Sequence, residues 1–175
     1  MRNKFPKPDF IAHVCLPPFG NLSYFTAKKL NAKYIAEVLD LWPESFVTFG
    51  LIKRNNPLLR ILYAAEKFLY KRADKIVFSM EGGIDYLRNK KWLVSEGGVI
   101  SDEKVYYINN GVDLNDFNKY KENYKLNDSD LENESFFRVV YIGSIRHANN
   151  VKRLIEAAAI LKKEKQIKFL IYGDG

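Results

Sequence analysis

The sequence has very little cysteine and no long hydrophobic run, and both absences exclude whole classes of protein. A single cysteine, Cys15, cannot form an internal disulfide or build a cysteine-based metal centre. No apolar stretch reaches the roughly 18 residues that a membrane span needs. The opening residues, MRNKFPKPDF, lack the apolar centre of a secretory signal. These absences predict an intracellular protein without a membrane span.

Common signatures for nucleotides and metals are missing as well. No G-x-x-x-x-G-K-[ST] motif occurs, and the turn GSIRHA has Ile145 where the second glycine of G-x-G-x-x-G would stand. These absences disfavour a P-loop nucleotidase and a nicotinamide-dependent enzyme. No carboxylate or histidine cluster has the spacing of metal ligands, so we expect neither a metal nor a cofactor.

Positive charge is abundant, with a formal net charge of +7, and it is concentrated in one segment. Residues 53–72 contain six cations and a single acid, Glu66. Such a run can face anionic lipid, phosphate-bearing ligands or nucleic acid, or it can be an ordinary solvated helix face. No nucleic-acid recognition module accompanies the charge, so we do not expect nucleic acid as a partner.

Short apolar runs alternate with amphipathic stretches, which predicts an α/β fold with a parallel sheet. The clearest helix is predicted over 57–72, where Asn56 can cap its start and Pro57 occupies its first position. Its predicted buried face is Leu58, Leu59, Leu62, Ala65, Phe68 and Leu69. Further strands are predicted at 9–15, 33–39, 75–79 and 104–108, and further helices at 22–30 and 81–91.

The pattern changes near residue 112, which predicts two domains. Residues 1–112 form the first, and the polar stretch 113–136, rich in Asn, Asp and Glu, is predicted to be a linker. The alternation restarts in 137–175, with strands at 137–142 and 167–172 around a helix. One such crossover cannot cover its own sheet, so this segment is expected to be the start of a larger domain.

The turn after strand 137–142 is a candidate phosphate site. Gly143 allows a ligand to approach the backbone, and the following helix start offers N–H groups and partial positive charge. Ser144 can donate a hydroxyl, Arg146 a bidentate fork, and Asn149 or Asn150 can cap the helix. The alternative is a plain strand-to-helix turn in which Gly143 serves geometry alone.

Four stretches in the same order resemble the large family-4 retaining glycosyltransferases, particularly bacterial members that build capsule, O-antigen or exopolysaccharide. They are EVLDLWPESF (37–46), RADKIVFSM (72–80), VYYINNGVDLNDF (105–117) and VVYIGSIRHANNVKRLIEAA (139–158). The resemblance implies the GT-B fold, in which two Rossmann-like parallel-sheet domains face each other across a cleft. The first domain binds mainly the acceptor and the second the nucleotide-sugar, and both are incomplete in this chain.

The resemblance also implies roles for individual residues. Asp40 and Glu44 follow the strand 33–39, where a carboxylate can orient or deprotonate an acceptor hydroxyl. Alternatively, Trp42 and Pro43 pack the loop and Asp40 caps a turn. The pair Asn110 and Gly111 is expected to form a tight turn at the domain junction near the donor.

The implied diphosphate contacts are made by residues of the candidate phosphate turn: Gly143, Ser144, Arg146 and Asn149. The chain departs from the common pattern here, because Ser144 stands where many relatives have arginine and Asn149 where they have lysine. Loss of one such cation costs about 1.5–3 kcal/mol of binding. The family's pair of donor-binding glutamates lies downstream of the resembled region, so we expect the middle of a protein about twice as long.

The sequence therefore predicts a glycosyltransferase, or a segment of one, that transfers a sugar from a nucleotide-diphosphate donor to a hydroxyl acceptor in cell-surface polysaccharide biosynthesis. The expected acceptor is a sugar or a lipid-linked sugar. The expected location is the cytoplasm, at the inner face of the membrane, with residues 53–72 and the aromatic side chains of Tyr63, Phe68 and Tyr70 against anionic lipid. The alternatives are an inactive truncated remnant, a sugar-nucleotide-binding module, and a GT-B sugar-nucleotide epimerase.

Overall fold

The computed structural model describes residues 6–14 and 19–175. The chain divides into two compact units, Met1–Gly111 and Val112–Gly175, and each unit contains its own parallel sheet. Cys15, which was predicted to end the first strand, lies outside the described residues. The α/β class and the parallel pairing predicted from the sequence are therefore confirmed.

The first unit is built on a four-stranded parallel sheet with the order β1-β2-β3-β4. Its strands are β1 (Phe10–Val14), β2 (Lys33–Val38), β3 (Lys75–Phe78) and β4 (Val105–Tyr107). Because the spatial order follows the chain order, right-handed crossovers place the connecting helices on one face. Burial agrees with this arrangement, since alternate side chains of the two central strands are buried: Tyr34, Ala36, Val38, Ile76 and Phe78.

Among its described residues, the first unit also contains the α-helices α1 (Phe19–Leu30), α2 (Glu44–Thr48), α3 (Pro57–Arg72) and α4 (Gly83–Asn89). Helix α3 has the bounds predicted from the sequence. The Asn56 side chain accepts a hydrogen bond from the Leu58 amide, and Pro57 is the first helical residue, as its fixed φ favours. At the other end, the Lys104 Nζ donates to the carbonyls of Lys71 and Ala73.

The buried face of α3 differs in part from the prediction. Leu59 and Leu69 are buried as expected, but Leu58 is exposed, and Glu66 and Tyr70 belong to the buried face. The predicted buried face contained only apolar residues, whereas the observed buried face is centred on positions 59, 66 and 70. The periodicity of apolar residues could not predict this face, because Glu66 stands at its centre.

The second unit contains α5 (Leu114–Asn123), α6 (Ser129–Glu132), β5 (Phe137–Ile142), α7 (Val151–Ile160) and β6 (Ile167–Tyr172). The two strands pair in parallel from Phe137–Ile167 to Ile142–Tyr172 and have the predicted bounds. Residues 113–136, predicted to be a linker, contain two helices that begin at caps, since the carboxylates of Asp113 and Asp128 accept bonds from the first-turn amides. Neither helix has a buried residue.

None of the helices in the described part of the chain combines the length and apolarity that a membrane crossing would require.

Candidate functional site

The carboxyl ends of β2 and β3 lie at the same edge of the first sheet, where ligands of parallel α/β proteins bind. Asp40 and Glu44 follow β2, and Met80 follows β3. These three side chains border one cavity of about 240 Å³, whose other lining residues are Leu41, Ser45, Thr48 and Phe49. The structure thus brings the two carboxylates singled out in the sequence to one cavity, which we call the Asp40 cavity.

Packing shapes the segment that carries these carboxylates. Pro43 is buried, the Trp42–Pro43 peptide bond is cis, and the Trp42 ring packs edge-on against Phe46 with ring centres 5.8 Å apart. The Ser45 amide donates to the Leu41 carbonyl at 2.7 Å and starts α2. Trp42 and Pro43 therefore pack the loop, as the alternative interpretation of this motif predicted.

Glu44 is held by three donors from other elements. Its carboxylate accepts from the Tyr63 hydroxyl at 2.5 Å, the Lys90 Nζ at 2.9 Å and the Arg54 guanidinium at 3.0 Å. Burial by itself raises the pKa of Glu44, but the hydrogen bonds from Tyr63 and Lys90 and the nearby positive charges outweigh it and hold that pKa below its ordinary value. Glu44 is therefore an ionised carboxylate that ties α2 to α3 and to the end of α4.

A second acid lies behind this contact, deeper in the unit. Glu66 of α3 is 1% exposed, and burial raises its pKa to about 8, although hydrogen bonds from Tyr86 and Tyr70 oppose the shift. The Tyr86 hydroxyl donates to the carboxyl group at 2.8 Å. The Lys90 Nζ lies 3.7 Å from the ring centre of Tyr63 and 5.3 Å from that of Tyr86.

Together, Glu44, Tyr63, Glu66, Tyr86 and Lys90 form a polar network behind the Asp40 cavity, which we call the Lys90 network. Sequence reasoning did not find it, because its members come from three separate elements. The one available signal was the single acid, Glu66, in a segment otherwise rich in cations and apolar residues.

Asp40 differs from Glu44 in being exposed. Its backbone carbonyl accepts from the Trp42 amide at 3.0 Å. Its carboxylate receives no hydrogen bond from residues 6–14 or 19–175. Of the two carboxylates at the cavity, Asp40 is the one whose oxygens remain available for a ligand hydroxyl.

The predicted tight turn at Asn110–Gly111 is wrong. Residues 108–113 follow an irregular path, and Gly111 does not have the positive φ that such a turn requires. The Asn109 side chain accepts a hydrogen bond from the Asn110 amide at 2.8 Å, in place of a backbone bond that would close a turn. Both Asn110 and Gly111 are exposed at the end of the first unit.

The turn after β5 is only partly arranged as a phosphate site. The Gly143 amide donates to the Tyr172 carbonyl at 3.0 Å, and the Ile145 amide donates to the Asp174 carbonyl at 2.7 Å. Two backbone donors of this turn therefore bond to carbonyls at the end of β6 and just beyond it. Gly143 has φ +153, a backbone conformation that other residues rarely adopt. A Cβ added at Gly173 would overlap the Gly143 carbonyl, so the close approach of the two backbones requires glycine at position 173.

The side chains of this turn divide into internal and outward groups. The Asn149 Nδ2 donates to the Ser144 carbonyl at 2.6 Å, and the Tyr141 hydroxyl donates to the same oxygen at 2.8 Å. Asn150 directly precedes α7 with φ 50, but its side chain makes no capping bond. Arg146 is exposed and forms no ion pair with a described residue, so Arg146 and the Ser144 hydroxyl are the donors that a ligand could use.

Within residues 6–14 and 19–175, no group of three or more His, Cys, Asp or Glu side chains could hold a metal ion. No protein-family model matches the chain, and no curated protein is significantly similar to it. The geometry and chemistry of the described residues are therefore the basis for a functional assignment.

Proposed function

We propose that the chain is part of a GT-B-type retaining glycosyltransferase, which moves a sugar from a nucleotide-diphosphate donor to a hydroxyl acceptor. The observation that carries this proposal is the exposed Asp40 carboxylate at the carboxyl end of β2, in a cavity with an apolar wall. Leu41, Phe49 and Met80 supply that wall. An apolar wall with one placed polar group suits a sugar ring, which has C–H faces and hydroxyl edges.

In this proposal the two carboxylates have different roles. Asp40 accepts a hydrogen bond from the acceptor hydroxyl and orients it. Glu44 does not contact the acceptor, because its oxygens already accept bonds from Tyr63, Lys90 and Arg54. It instead fixes α2, which supplies Ser45 and Thr48 to the cavity lining. Glu44 is thus a positioning residue.

The proposed reaction needs no protein nucleophile. The acceptor oxygen bonds to the anomeric carbon of the donor sugar while the bond from that carbon to the diphosphate oxygen breaks. The hydroxyl proton passes to the departing diphosphate, so the products are the glycoside and a nucleoside diphosphate. Positive charge near that leaving group stabilises the charge that develops on it.

In the second unit, side chains rather than the amides of Gly143 and Ile145 are available to bind the donor diphosphate. The amides of Gly143 and Ile145 are bonded to Tyr172 at the end of β6 and to Asp174 just after it, so the diphosphate is held by the Arg146 guanidinium and the Ser144 hydroxyl. One cation in place of two makes weak binding the expected outcome.

Titration of UDP, GDP and ADP with the full chain, followed by phosphorus NMR, tests the donor half of the proposal. Arg146→Ala removes a charge-assisted hydrogen bond and is expected to weaken binding about 10- to 150-fold. Lys162→Ala, which removes an exposed cation just after α7, serves as the control and should leave affinity unchanged. Equal affinity of the Arg146→Ala variant and the parent would contradict the assigned role.

A sugar-nucleotide-binding module without turnover is the second candidate. The internal bonds of Glu44 favour it, because they remove a carboxylate that a catalytic site would use. Release of nucleoside diphosphate from a panel of nucleotide-sugars, with sugar acceptors present, separates the two. Release that falls in Asp40→Asn supports the transferase, whereas nucleotide binding with no release supports the module.

A further inference from the structure

Another cavity of the first unit lies at the amino ends of β2 and β3, at the sheet edge opposite the Asp40 cavity. Its volume is about 300 Å³, which is the lower end of the range for small-molecule sites. Lys33 begins β2, Asp74 directly precedes β3, and the end of α1 closes the other side. We call this space the Lys28 cavity; its lining includes Tyr24, Ala27, Lys28, Asn31, Lys33 and Asp74.

The aromatic wall of the Lys28 cavity is held in place by α3. Phe68 of that helix packs edge-on against Tyr24 with ring centres 6.1 Å apart. The sequence had predicted that Tyr63, Phe68 and Tyr70 face lipid, but Tyr63 donates to Glu44 and Tyr70 is only 1% exposed. These three rings therefore point toward the interior of the unit, and Phe68 supports the cavity wall.

The polar groups of the Lys28 cavity divide into used and available ones. The Asp74 carboxylate accepts from the Lys33 Nζ at 3.0 Å and from the Tyr34 amide at 2.9 Å, so both of its oxygens are used. Among the described residues, Lys28 has no acidic partner and the Asn31 side chain makes no hydrogen bond. Lys28 and Asn31 are therefore the groups that a ligand can bind.

A further cation stands beside the wall. The Arg72 guanidinium donates to the Tyr24 hydroxyl at 3.2 Å and lies 4.8 Å from the ring centre of Phe68. Like Lys28, it has no acidic partner among the described residues. Three cations, Lys28, Lys33 and Arg72, thus surround one carboxylate, which leaves two positive charges at neutral pH.

We propose that the Lys28 cavity binds small organic phosphate monoesters. A phosphate monoester carries close to two negative charges near neutral pH, which matches the charge of the cavity, whereas a carboxylate carries one. The Asn31 amide group can donate to a phosphate oxygen. The Tyr24 ring and Ala27 supply an apolar wall for the organic part of the ligand. This site is independent of the proposed transferase activity, because the length of β2 separates it from Asp40.

Lysines in the last turn of a helix also have an ordinary role, since they complement the partial negative charge of the terminal carbonyls. Lys28 and Lys29 both stand in the last turn of α1, and both are exposed. Lys28 borders the cavity, whereas Lys29 does not. A comparison of these two neighbours therefore separates ligand binding from the ordinary role.

Amide NMR with added phenyl phosphate tests the proposal. The full chain is used as its Arg146→Ala variant, so that the turn after β5 contributes no cation. We expect saturable shifts at Lys28, Asn31 and Lys33, with affinity that rises between about pH 5 and about pH 7.5, because the phosphate group loses its second proton near pH 6. Inorganic phosphate, which has no organic part to contact Tyr24, should bind more weakly.

Two variants change the ligand-binding groups. Lys28→Glu is expected to weaken phenyl phosphate binding about 3- to 25-fold, because one exposed ion pair contributes up to about fivefold and the charge changes by two units. Asn31→Gly keeps the left-handed backbone, whose φ is 52, and removes the amide group, so about 2- to 10-fold weaker binding is expected. Lys29→Glu is the matched control and should leave the affinity nearly unchanged.

Three results would overturn the proposal. Equal weakening by Lys28→Glu and Lys29→Glu would show general charge attraction without a site. Benzoate binding as tightly as phenyl phosphate would contradict the assigned ligand class, and unshifted amides at residues 24–34 would show that the cavity is not used. Nucleotide-induced shifts at Ser144 are a separate readout in the parent chain, so their loss would contradict the donor assignment and leave this one standing.

Discussion

At the scale of single residues, the Lys90 network contains two acids whose pKa values are shifted in opposite directions. Glu44 is surrounded by donors and cations, and its pKa is lowered. Glu66 is buried among the rings of Tyr70 and Tyr86, and its pKa is raised to about 8. The Lys90 ammonium contacts Glu44 at 2.9 Å. At neutral pH the network therefore holds one carboxylate, one protonated carboxyl group and one ammonium.

The Glu66 shift predicts a pH-dependent stability. Between the ordinary pKa of 4.5 and the folded value of about 8, the folded chain binds one more proton than the unfolded chain. The free energy of unfolding therefore falls as pH rises through this window, by up to about 1.4 kcal/mol per pH unit. Glu66→Gln keeps an oxygen for Tyr86 and removes the titration, so it should be more stable than the parent at pH 8.

Urea unfolding across this pH window measures the effect. The exposed Glu103→Gln is the control and should keep the parental pH dependence. Parallel stability curves for Glu66→Gln and the parent would show that Glu66 is ionised in the folded chain and would contradict its assignment as a protonated carboxyl group.

The two cavity carboxylates should respond differently to neutralisation. Glu44→Gln leaves the largely buried Lys90 without its anion and is expected to cost about 1.5–3 kcal/mol of stability at neutral pH. Because the pKa of Glu44 is lowered, this contribution is present above pH 4.5 and is lost as pH falls through the folded pKa. Asp40→Asn changes an exposed side chain and should alter stability by no more than about 0.5 kcal/mol.

Thermal and urea denaturation of both variants provide the comparison. A large loss of stability in Asp40→Asn, or none in Glu44→Gln, would reverse the roles assigned to the two residues.

The placement of Asp40 and Glu44 could be predicted, because both directly follow an apolar strand and the carboxyl ends of parallel strands share one edge. The partners of Glu44 could not. Tyr63 and Lys90 stand 19 and 46 positions away in the sequence, and no local pattern connects them to it. The same limit applies to Gly143, whose amide bonds to Tyr172, a residue on another strand.

At the scale of elements, two adjacent glycines at the start of α4 show a packing requirement that a local sequence pattern does not reveal. Gly82 and Gly83 stand together at the start of α4, and the sequence alone does not separate them. In the structure, a Cβ added at Gly82 would meet nothing within 4 Å. A Cβ added at Gly83 would overlap the ring and Cβ of the buried Phe78. Close packing of α4 on β3 therefore requires glycine at position 83 only.

Gly83→Ala is expected to destabilise the chain by about 1–3 kcal/mol or more, because Phe78 has no room to move in the core. Gly82→Ala is the matched control, since its neighbourhood is open and its φ of -69 suits any residue. Urea denaturation of the two variants measures the difference. Equal stability would mean that α4 does not pack on β3 as described.

At the scale of the whole molecule, the two units differ in how many of their hydrophobic side chains are buried. The first has a core of aromatic and aliphatic side chains around β2 and β3. In the second, Val151 is the buried hydrophobic residue, whereas Ile142 and Ile160 are strongly exposed. The strands and the division of the chain follow from apolar runs and a polar stretch in the sequence. Helices α5 and α6 do not, because capping rather than burial forms them.

Both candidate functions depend on one claim, that the turn after β5 binds a diphosphate, and residue-resolved amide NMR with added UDP, GDP or ADP tests it most directly. We expect shifts at Ser144, Arg146 and the first turn of α7, with little change at Asp40 and Glu44, and the loss of these shifts in Arg146→Ala. Saturating nucleotide that leaves residues 143–152 unperturbed, or that shifts only amides of the first unit, would contradict the claim.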